Sequence, residues 1–303
     1  MDKIIIICGP TASGKTALAV ECAKLLSSEV VSADSLYIYK GLDIGTAKPT
    51  LDEMCGVKHH LINVADTTSD FTVSDYRVLA LNAITSIINK GKIPVICGGT
   101  GFYINSILYD LSYGNSQGDE SVREYYKNLA QEKGNAYVYD ILKEKDILSA
   151  EKIHFNDIKR VIRALEICAT GTKKSDIVDD MSPKFDYRAY SLNYDRETLY
   201  NRINLRVNQM IDDGLIDEVK SLLLGGVTKN HQCMQGIGYK EVIKYIEGKM
   251  SLFDTIEKIK LNTRHYAKRQ ITFFKKLPRI NYIKPNDVKI IAKEIVEDKW
   301  IKC

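Results

Sequence analysis

The chain has 303 residues and a mass of 34.2 kDa, which is enough for one large hydrophobic core or for two domains. Hydrophobic residues make up 45% of it and charged residues 27%, as is typical of globular proteins. The apolar runs 4–8 and 93–97 are of strand length, and the N-terminus shows no signal-peptide pattern, so we expect no membrane contact. Seven scattered cysteines without a Cys-x-x-Cys pair, and histidines without metal-ligand spacing, predict a cytoplasmic protein with reduced thiols and no zinc.

The first predicted strand runs directly into a glycine-rich loop. Residues 4–8 are apolar, and the next eight are Gly9, Pro10, Thr11, Ala12, Ser13, Gly14, Lys15 and Thr16. This is the phosphate-loop pattern of ATP-binding and other nucleotide-binding proteins, in its strand–loop–helix setting. Backbone N–H groups, the helix dipole and Lys15 would bind phosphate oxygens, and the Thr16 hydroxyl would hold Mg2+. The loop therefore predicts binding of a diphosphate or triphosphate compound without saying which.

Strands and helices alternate in the N-terminal third. The pattern predicts strands at 29–32 and 93–97, a helix at 72–89, and another helix after Gly101. It is typical of an α/β fold, namely a P-loop-type doubly wound parallel sheet. Asp34-Ser35 and Gly98-Gly99-Thr100 each follow a strand, as the phosphate loop does. We expect the three strand ends to converge on one site.

The pattern changes after residue 111. Residues 112–135 are polar and tyrosine-rich without a long apolar period, and helical segments follow at about 136–150 and 154–170. We interpret 113–186 as a mostly helical insertion domain between 1–112 and 187–303, which form a discontinuous core with a largely helical C-terminal part. In the latter we predict a strand at 187–194, helices at 195–213, 215–224, 238–248 and 251–275, a strand at 279–283 and a final helix.

Asp34 is the most informative carboxylate. Its place after a strand beside the phosphate loop fits an outer-shell Mg2+ ligand of a nucleotide hydrolase, a general base, or a simple helix cap. The hydrolase is disfavoured because the strand at 93–97 ends in glycines rather than an acid, and because no guanine signature or adenine pocket is apparent. Thr100 offers a hydroxyl close to the backbone, with a capping role as the alternative.

Basic residues are concentrated in a few segments, although the net charge is only +4. Residues 257–276 contain seven basic side chains and one acidic one. Two predicted helices also carry basic pairs at helical spacing, Arg160 with Arg163 and Arg202 with Arg206. Together they favour a phosphate backbone as partner, whereas surface ion pairing explains any one pair alone. Interleaved aromatic residues could stack on bases or could pack in the core.

These motifs together resemble the tRNA dimethylallyltransferases (tRNA isopentenyltransferases) of the bacterial type. The resemblance rests on the phosphate loop, on residues 32–49 with their Asp-Ile-Gly-Thr-Ala-Lys-Pro stretch, and on Gly98-Gly99-Thr100. Further motifs at 154–166, 202–215, 236–241 and 263–270 extend it over residues 3–275 in the expected order. Phe155, Gly236 and His265 depart from the usual pattern, but none of them belongs to the chemistry that the resemblance implies.

The resemblance implies transfer of a dimethylallyl group from dimethylallyl diphosphate to N6 of the adenosine 3′-adjacent to the anticodon in tRNA, releasing diphosphate. Asp34, Thr100 and Arg206 would be catalytic, residues 9–16 would bind the diphosphate, and Mg2+ would bind at Thr16. Contacts to the tRNA anticodon stem–loop would come from Asp34, Ser35, Leu36, Tyr37, Thr100, Arg123, Lys159, Arg160, Val161, Ile162, Arg163, Arg264, Lys268 and Arg269. We expect a monomer. A small-molecule kinase and a non-catalytic RNA-binding protein are the alternatives.

Overall fold

The computed structural model describes residues 1–111 and 119–302. The chain divides into two compact units. The sheet unit comprises Met1–Leu108 and Pro183–Cys303, and the helical unit comprises Tyr109–Ser182. Part of the polar segment singled out in the sequence, residues 112–118, lies outside the described residues. Within the described part of the chain, no helix is long and apolar enough to cross a membrane.

A sheet of six strands organises the sheet unit. The strands are β1 Lys3–Cys8, β2 Val30–Ser32, β3 His59–His60, β4 Val95–Gly98, β5 Asp186–Leu192 and β6 Ile280–Ile283. Their spatial order is β3-β2-β4-β1-β5-β6, and every neighbouring pair is parallel. The predicted doubly wound parallel sheet is confirmed, with strand ends one or two residues from the expected positions. The short β3 was not among the predicted strands, since two residues give no periodic signal.

Helices connect the strands and form most of the remaining structure. Their bounds are α1 Lys15–Leu25, α2 Leu51–Met54, α3 Val73–Ile88, α4 Gly101–Leu108, α5 Glu120–Lys133, α6 Asn135–Lys145, α7 Ile147–Ala150, α8 Ile158–Ala169, α9 Arg196–Asp212, α10 Leu215–Leu224, α11 Tyr239–Ile246, α12 Leu252–Phe274, α13 Val288–Val296 and α14 Lys299–Lys302. Two 3-10 turns occur at Lys174–Asp176 and Gln232–Gln235. The predicted C-terminal helices 195–213, 215–224, 238–248 and 251–275 correspond to α9 to α12.

The central strand β1 is buried because its residues pack on both faces of the sheet. Ile5 and Ile7 join a cluster with residues of α1 and α13, among them Leu18 and Ile291. Ile4 alternates with them and points to the opposite face, where it is also fully buried. A continuous apolar run of this kind is typical of a parallel strand that is covered on both sides. The packing fixes the carboxyl end of β1, where the phosphate loop begins.

The helical unit has a small core of its own. Val138 and Leu142 of α6 pack against Val161 and Leu165 of α8. The structure differs from the sequence interpretation at two places. Helix α5 was not predicted, because its segment was interpreted as polar; Tyr126, Leu129 and Ala130 nevertheless fall at helical spacing and pack, partly buried, against this core. The predicted helix 136–150 is interrupted at Asp146, whose carboxylate instead accepts hydrogen bonds from the backbone of Ser149 and Ser175.

Candidate active site and RNA-contact residues

The phosphate loop is held in its curled form by glycines. Gly9 and Gly14 have φ angles of 133° and 88°, which disfavour a side chain. A Cβ on Gly9 would also lie 2.6 Å from the Ser191 hydroxyl. The Lys15 ammonium folds back over the loop and donates to the Pro10 carbonyl at 3.2 Å. Burial lowers the pKa of Lys15, and the nearby charge of Arg206 acts in the same direction.

Two long-range hydrogen bonds attach this loop to C-terminal helices. The Thr11 N–H donates to the side-chain oxygen of Gln270 at 2.9 Å, and the side-chain nitrogen of Gln270 donates to the Gly99 carbonyl at 2.9 Å. The Arg202 guanidinium donates to the Ala12 carbonyl at 2.8 Å. Gln270 is buried, so its two bonds form a fixed bridge between the ends of β1 and β4.

Asp34 and Thr100 come together at the ends of β2 and β4. The Ser35 N–H donates to the Thr100 hydroxyl at 3.1 Å, and the Leu36 N–H donates to the Asp34 carboxylate at 3.0 Å. Burial raises the pKa of Asp34, against the lowering effects of the Leu36 N–H and of Lys15. One carboxylate oxygen of Asp34 is thus held by the chain, and the group is tuned towards proton acceptance. The predicted convergence of the three strand ends is confirmed.

The phosphate loop and the loop after β2 line a cavity of about 400 Å³ within the sheet unit. Arg206 reaches it from α9, and its side chain forms no hydrogen bond or ion pair with the described residues. Tyr266 on α12 also lines it, and burial raises the pKa of Tyr266 to about 12, so its hydroxyl stays protonated. Other lining residues that bear on the chemistry are Thr11, Ala12, Asp34, Ser35, Leu36, Gly45, Thr46, Arg269 and Gln270.

The most specific sequence motif, Asp43–Pro49, forms a wall of this cavity, where hydrogen bonds to a distant carboxylate hold it in place. The Glu218 carboxylate accepts hydrogen bonds from three consecutive N–H groups, those of Asp43, Ile44 and Gly45, at 2.7–3.0 Å. The Tyr239 hydroxyl donates to the same carboxylate at 2.6 Å. A Cβ on Gly45 would lie 2.7 Å from Leu215 and Tyr239, so this position requires glycine.

Internal hydrogen bonds also hold the C-terminal part of this motif in place. The buried Lys48 ammonium donates to the Tyr39 carbonyl, the Asp43 carboxylate and the Asn63 side chain at 2.6–2.7 Å. The Tyr37 hydroxyl donates to the Ala47 carbonyl at 2.8 Å. Tyr37 was predicted to contact tRNA; in the structure its hydroxyl is committed to this internal bond.

The residues at the start of α1 fit a Mg2+–diphosphate group. The Thr16 hydroxyl is half-buried at the loop, and the Ser13 hydroxyl is fully buried without a hydrogen-bond partner in the described residues. Mg2+ is commonly held by one or two protein oxygens together with substrate phosphates and water. A phosphate oxygen would supply the acceptor that Ser13 lacks. Thr16 would be the protein ligand of the ion.

The basic residues of α12 differ in exposure. Arg264 is half-buried and donates to the Asn204 side chain at 3.0 Å. Lys268 and Arg269 are exposed. Arg269 lies over the Tyr266 ring at 5.7 Å from its centre and so connects the cavity lining with the surface.

The predicted RNA contacts of the helical unit fall into two groups. Lys159 and Arg160 are exposed, and Arg160 pairs with Asp157 at 3.3 Å. Val161 and Ile162 are only 0% and 4% exposed, so their side chains pack in the unit rather than face solvent. The exposed cations Lys159 and Arg160 are suited to bind an RNA phosphate backbone.

The buried carboxylate of Glu166 pairs with Arg123 and Arg163, the two remaining predicted RNA contacts of this unit. Glu166, with a side chain 2% exposed, pairs with Arg123 at 3.0 Å and with Arg163 at 3.3 Å. These residues border a second cavity of about 610 Å³ that Lys127 and Lys159 also line. The carboxylate neutralises part of the arginine charge and fixes both guanidinium groups in place.

Comparison with known proteins identifies the family. The family model described as IPP transferase matches residues 37–277. The chain belongs to this family. It is 44% identical to the tRNA dimethylallyltransferase of Acetivibrio thermocellus over 291 residues, and 45% identical to that of Thermoanaerobacter sp. over 293 residues. Both alignments cover 95% of this chain and 93% of the relative.

Solved structures of IPP transferases share the fold. The full-length tRNA isopentenylpyrophosphate transferase of Bacillus halodurans matches with a TM-score of 0.73 and 38% identity, over 98% of this chain and 96% of that one. A eukaryotic dimethylallyltransferase, described as acting on tRNA, matches with a TM-score of 0.80 and 29% identity, over 100% of this chain and 77% of that one. The predicted family and P-loop-type fold are therefore confirmed.

Several contacts in this IPP transferase's site were not predicted from the sequence. Gln270 belongs to a motif that was noted for its resemblance, but no role was assigned to it. Tyr266 of the same motif was considered only for base stacking or core packing, not as part of the cavity lining. Glu218 and Arg202 act on loops about 170–190 positions away in the chain. No local pattern connects residues at that separation, so only the fold reveals these roles.

Proposed function

We propose that this chain transfers a dimethylallyl group from dimethylallyl diphosphate to N6 of the adenosine 3′-adjacent to the anticodon in tRNA. The observation that carries the proposal is a single cavity lined by Thr11 and Ala12 of the phosphate loop and by Asp34 and Ser35, with the Thr100 hydroxyl hydrogen-bonded to the Ser35 N–H. Membership of the IPP transferase family supports the reaction class. The protein would act in the cytoplasm, as a monomer.

The donor diphosphate would bind at residues 9–16. The loop N–H groups and the α1 dipole favour an anion there, and the Lys15 ammonium adds a full charge. Arg206, whose guanidinium faces the same cavity, would bind the diphosphate from the side of α9. When bound at Thr16, Mg2+ would supply charge stabilisation to the leaving diphosphate. These groups stabilise the negative charge that grows as the donor C–O bond breaks.

The acceptor side would depend on Asp34. The N6 lone pair forms the new C–N bond, the C–O electron pair leaves with the diphosphate, and the N6 proton passes to Asp34. The Leu36 N–H holds one carboxylate oxygen in place, and the Thr100 hydroxyl would lie next to the target base. An adenine in a stacked loop cannot reach a buried donor, so the base must leave the stack and enter the cavity.

RNA backbone contacts would come from both units. In the sheet unit Arg264, Lys268 and Arg269 are the candidates, and in the helical unit Lys159, Arg160, Arg163 and Arg123. The side chains of Val161 and Ile162 would support this surface from beneath rather than touch RNA, because they are buried. Such cations neutralise phosphates and make RNA affinity dependent on salt.

The decisive experiment is incubation of anticodon stem–loop RNA with labelled dimethylallyl diphosphate and Mg2+, followed by nucleoside analysis. Labelled N6-dimethylallyladenosine at the position 3′ to the anticodon is the expected product, and Lys15→Ala should reduce it by weakening donor binding. Robust transfer of phosphate from ATP to a mononucleotide, without RNA prenylation, would instead support the kinase alternative. Unchanged RNA modification in living cells carrying Asp34→Ala would contradict the proposed base.

A further inference from the structure

An aromatic side chain is exposed next to the proposed acceptor site. Phe102 follows Thr100 by two residues at the start of α4, and it is 61% exposed. Its ring lies 5.7 Å from the ring of Phe273 on α12, at an interplanar angle of 52°. Phe273 in turn meets the buried ring of Phe274 edge-on at 5.6 Å. The exposed ring is therefore anchored to the core by a row of aromatic contacts.

The glycine between Thr100 and Phe102 makes this anchoring possible. A Cβ on Gly101 would lie 2.2 Å from the Phe273 ring, which no real side chain tolerates. Its absence lets α12 pack directly against the first turn of α4. A ring fixed in this way loses little conformational entropy when a flat ligand stacks on it.

The charges around Phe102 and Phe273 indicate which kind of ligand these two rings bind. Phe273 lies four residues after Arg269, so both occupy the same face of α12, and Arg269 lines the cavity. The exposed Lys275 and Lys276 follow at the end of that helix. Aromatic rings interleaved with cations are typical of surfaces that bind single-stranded nucleic acid.

We propose that Phe102, supported by Phe273, stacks on an unpaired base of the anticodon loop that neighbours the adenosine entering the cavity. The inference rests on the proposed function. When one base leaves the loop stack, its neighbour loses a stacking partner and exposes an apolar face. A fixed ring two residues from Thr100 restores that contact and so favours the extruded state of the target base.

The test compares Phe102→Ala with Phe102→Trp and with the control Phe253→Ala. Phe253, at the start of α12, is 73% exposed; its neighbour Asp254 is acidic, and its ring contacts no other aromatic ring among the described residues. Steady-state kinetics are measured with varied anticodon stem–loop RNA at saturating donor and with varied donor at saturating RNA. Direct binding of the RNA is measured at several salt concentrations. Thermal melting checks that each variant is folded, and little change is expected for exposed positions.

Phe102→Ala should raise both the KM and the Kd for RNA about tenfold, the size expected for one lost base–aromatic stack. The donor KM and the slope of affinity with salt should stay as in the wild type, because no charge is removed. Phe102→Trp and Phe253→Ala should match the wild type. RNA affinity unaltered in Phe102→Ala, or a rise in donor KM alone, would overturn the inference. If the wild type itself does not prenylate the RNA, it is the proposed function that fails.

Discussion

The side-chain oxygen of Gln270 accepts a hydrogen bond from the Thr11 N–H at 2.9 Å, while its nitrogen donates to the Gly99 carbonyl at 2.9 Å. One residue of α12 therefore fixes the distance between the proposed donor loop and the loop that carries Thr100. Because Gln270 is buried, neither partner would find water as a substitute.

Gln270→Leu should lower kcat/KM for the donor by about tenfold or more, since a misplaced phosphate loop no longer presents its N–H groups correctly. It should also cost about 2 kcal/mol of folding stability by leaving two buried polar groups unpaired. Donor saturation kinetics and urea unfolding measure the two effects. Gln209→Leu, at an exposed glutamine on α9, serves as the control and should change neither. Equal donor kinetics in Gln270→Leu and wild type would show that the bridge is not needed for catalysis.

Asp34 should produce a decline of activity at acidic pH. Burial raises its pKa above the ordinary value of 3.8, and only the ionised carboxylate accepts a proton. The logarithm of kcat/KM should therefore fall with unit slope as pH decreases through that raised pKa. Asp34→Asn should lose about two to four decades of rate. Its residual activity should lack this acidic limb; an identical limb in the variant would assign it to another group.

The sequence predicted the fold for physical reasons. Phosphate loops, strand ends and amphipathic helices are local patterns, so the sheet, the convergence of Asp34 with Thr100, and helices α9 to α12 could be inferred. What could not be inferred depends on contacts between distant segments. The carboxylate of Glu218 reaches the backbone of Ile44 only after the chain folds. Asp146 interrupts a helix through a tertiary bond to Ser175.

Glu218 should influence RNA use although it is not placed against substrate. Its carboxylate holds the N–H groups of residues 43–45, and Gly45 and Thr46 line the cavity. Glu218→Gln weakens this acceptor and should raise the KM for RNA several-fold with the donor KM unchanged. Tyr239→Phe removes one bond to the same carboxylate and should cost about 1 kcal/mol of stability. A loss of stability in Glu218→Gln with unaltered RNA kinetics would show a purely structural role.

Arg160 should contribute to RNA affinity through charge alone. Arg160→Ala should weaken binding of stem–loop RNA and reduce the slope of log affinity against log salt by about one. Lys152→Ala removes an exposed cation of the same unit outside the predicted contact helix, and it should leave that slope unchanged. An effect of Arg160→Ala on donor affinity only would remove Arg160 from the RNA surface.

Glu29 should make the folding stability of the protein fall at acidic pH, through its ion pairs at the edge of the sheet. The Lys90 ammonium donates to one oxygen of its carboxylate at 2.7 Å, and a ring nitrogen of His60 lies 2.7 Å from the other oxygen. These contacts, chiefly the Lys90 hydrogen bond and then that of His60, lower the pKa of Glu29 to about 2. The ordinary value is 4.5, so the folded state binds this proton more weakly than the unfolded state does. The stabilisation is complete above pH 4.5 and is lost as pH falls through about 2.

Urea unfolding of Glu29→Gln should therefore show a deficit of about 2 kcal/mol at pH 7, after a discount for the partly exposed Lys90. The deficit should shrink steadily below pH 4.5 and be absent near pH 2. Glu21→Gln, which removes a surface pair with Lys24 on α1, should cost well under 1 kcal/mol at every pH. A deficit for Glu29→Gln that does not depend on pH would mean that its packing, rather than its charge, stabilises the edge of the sheet.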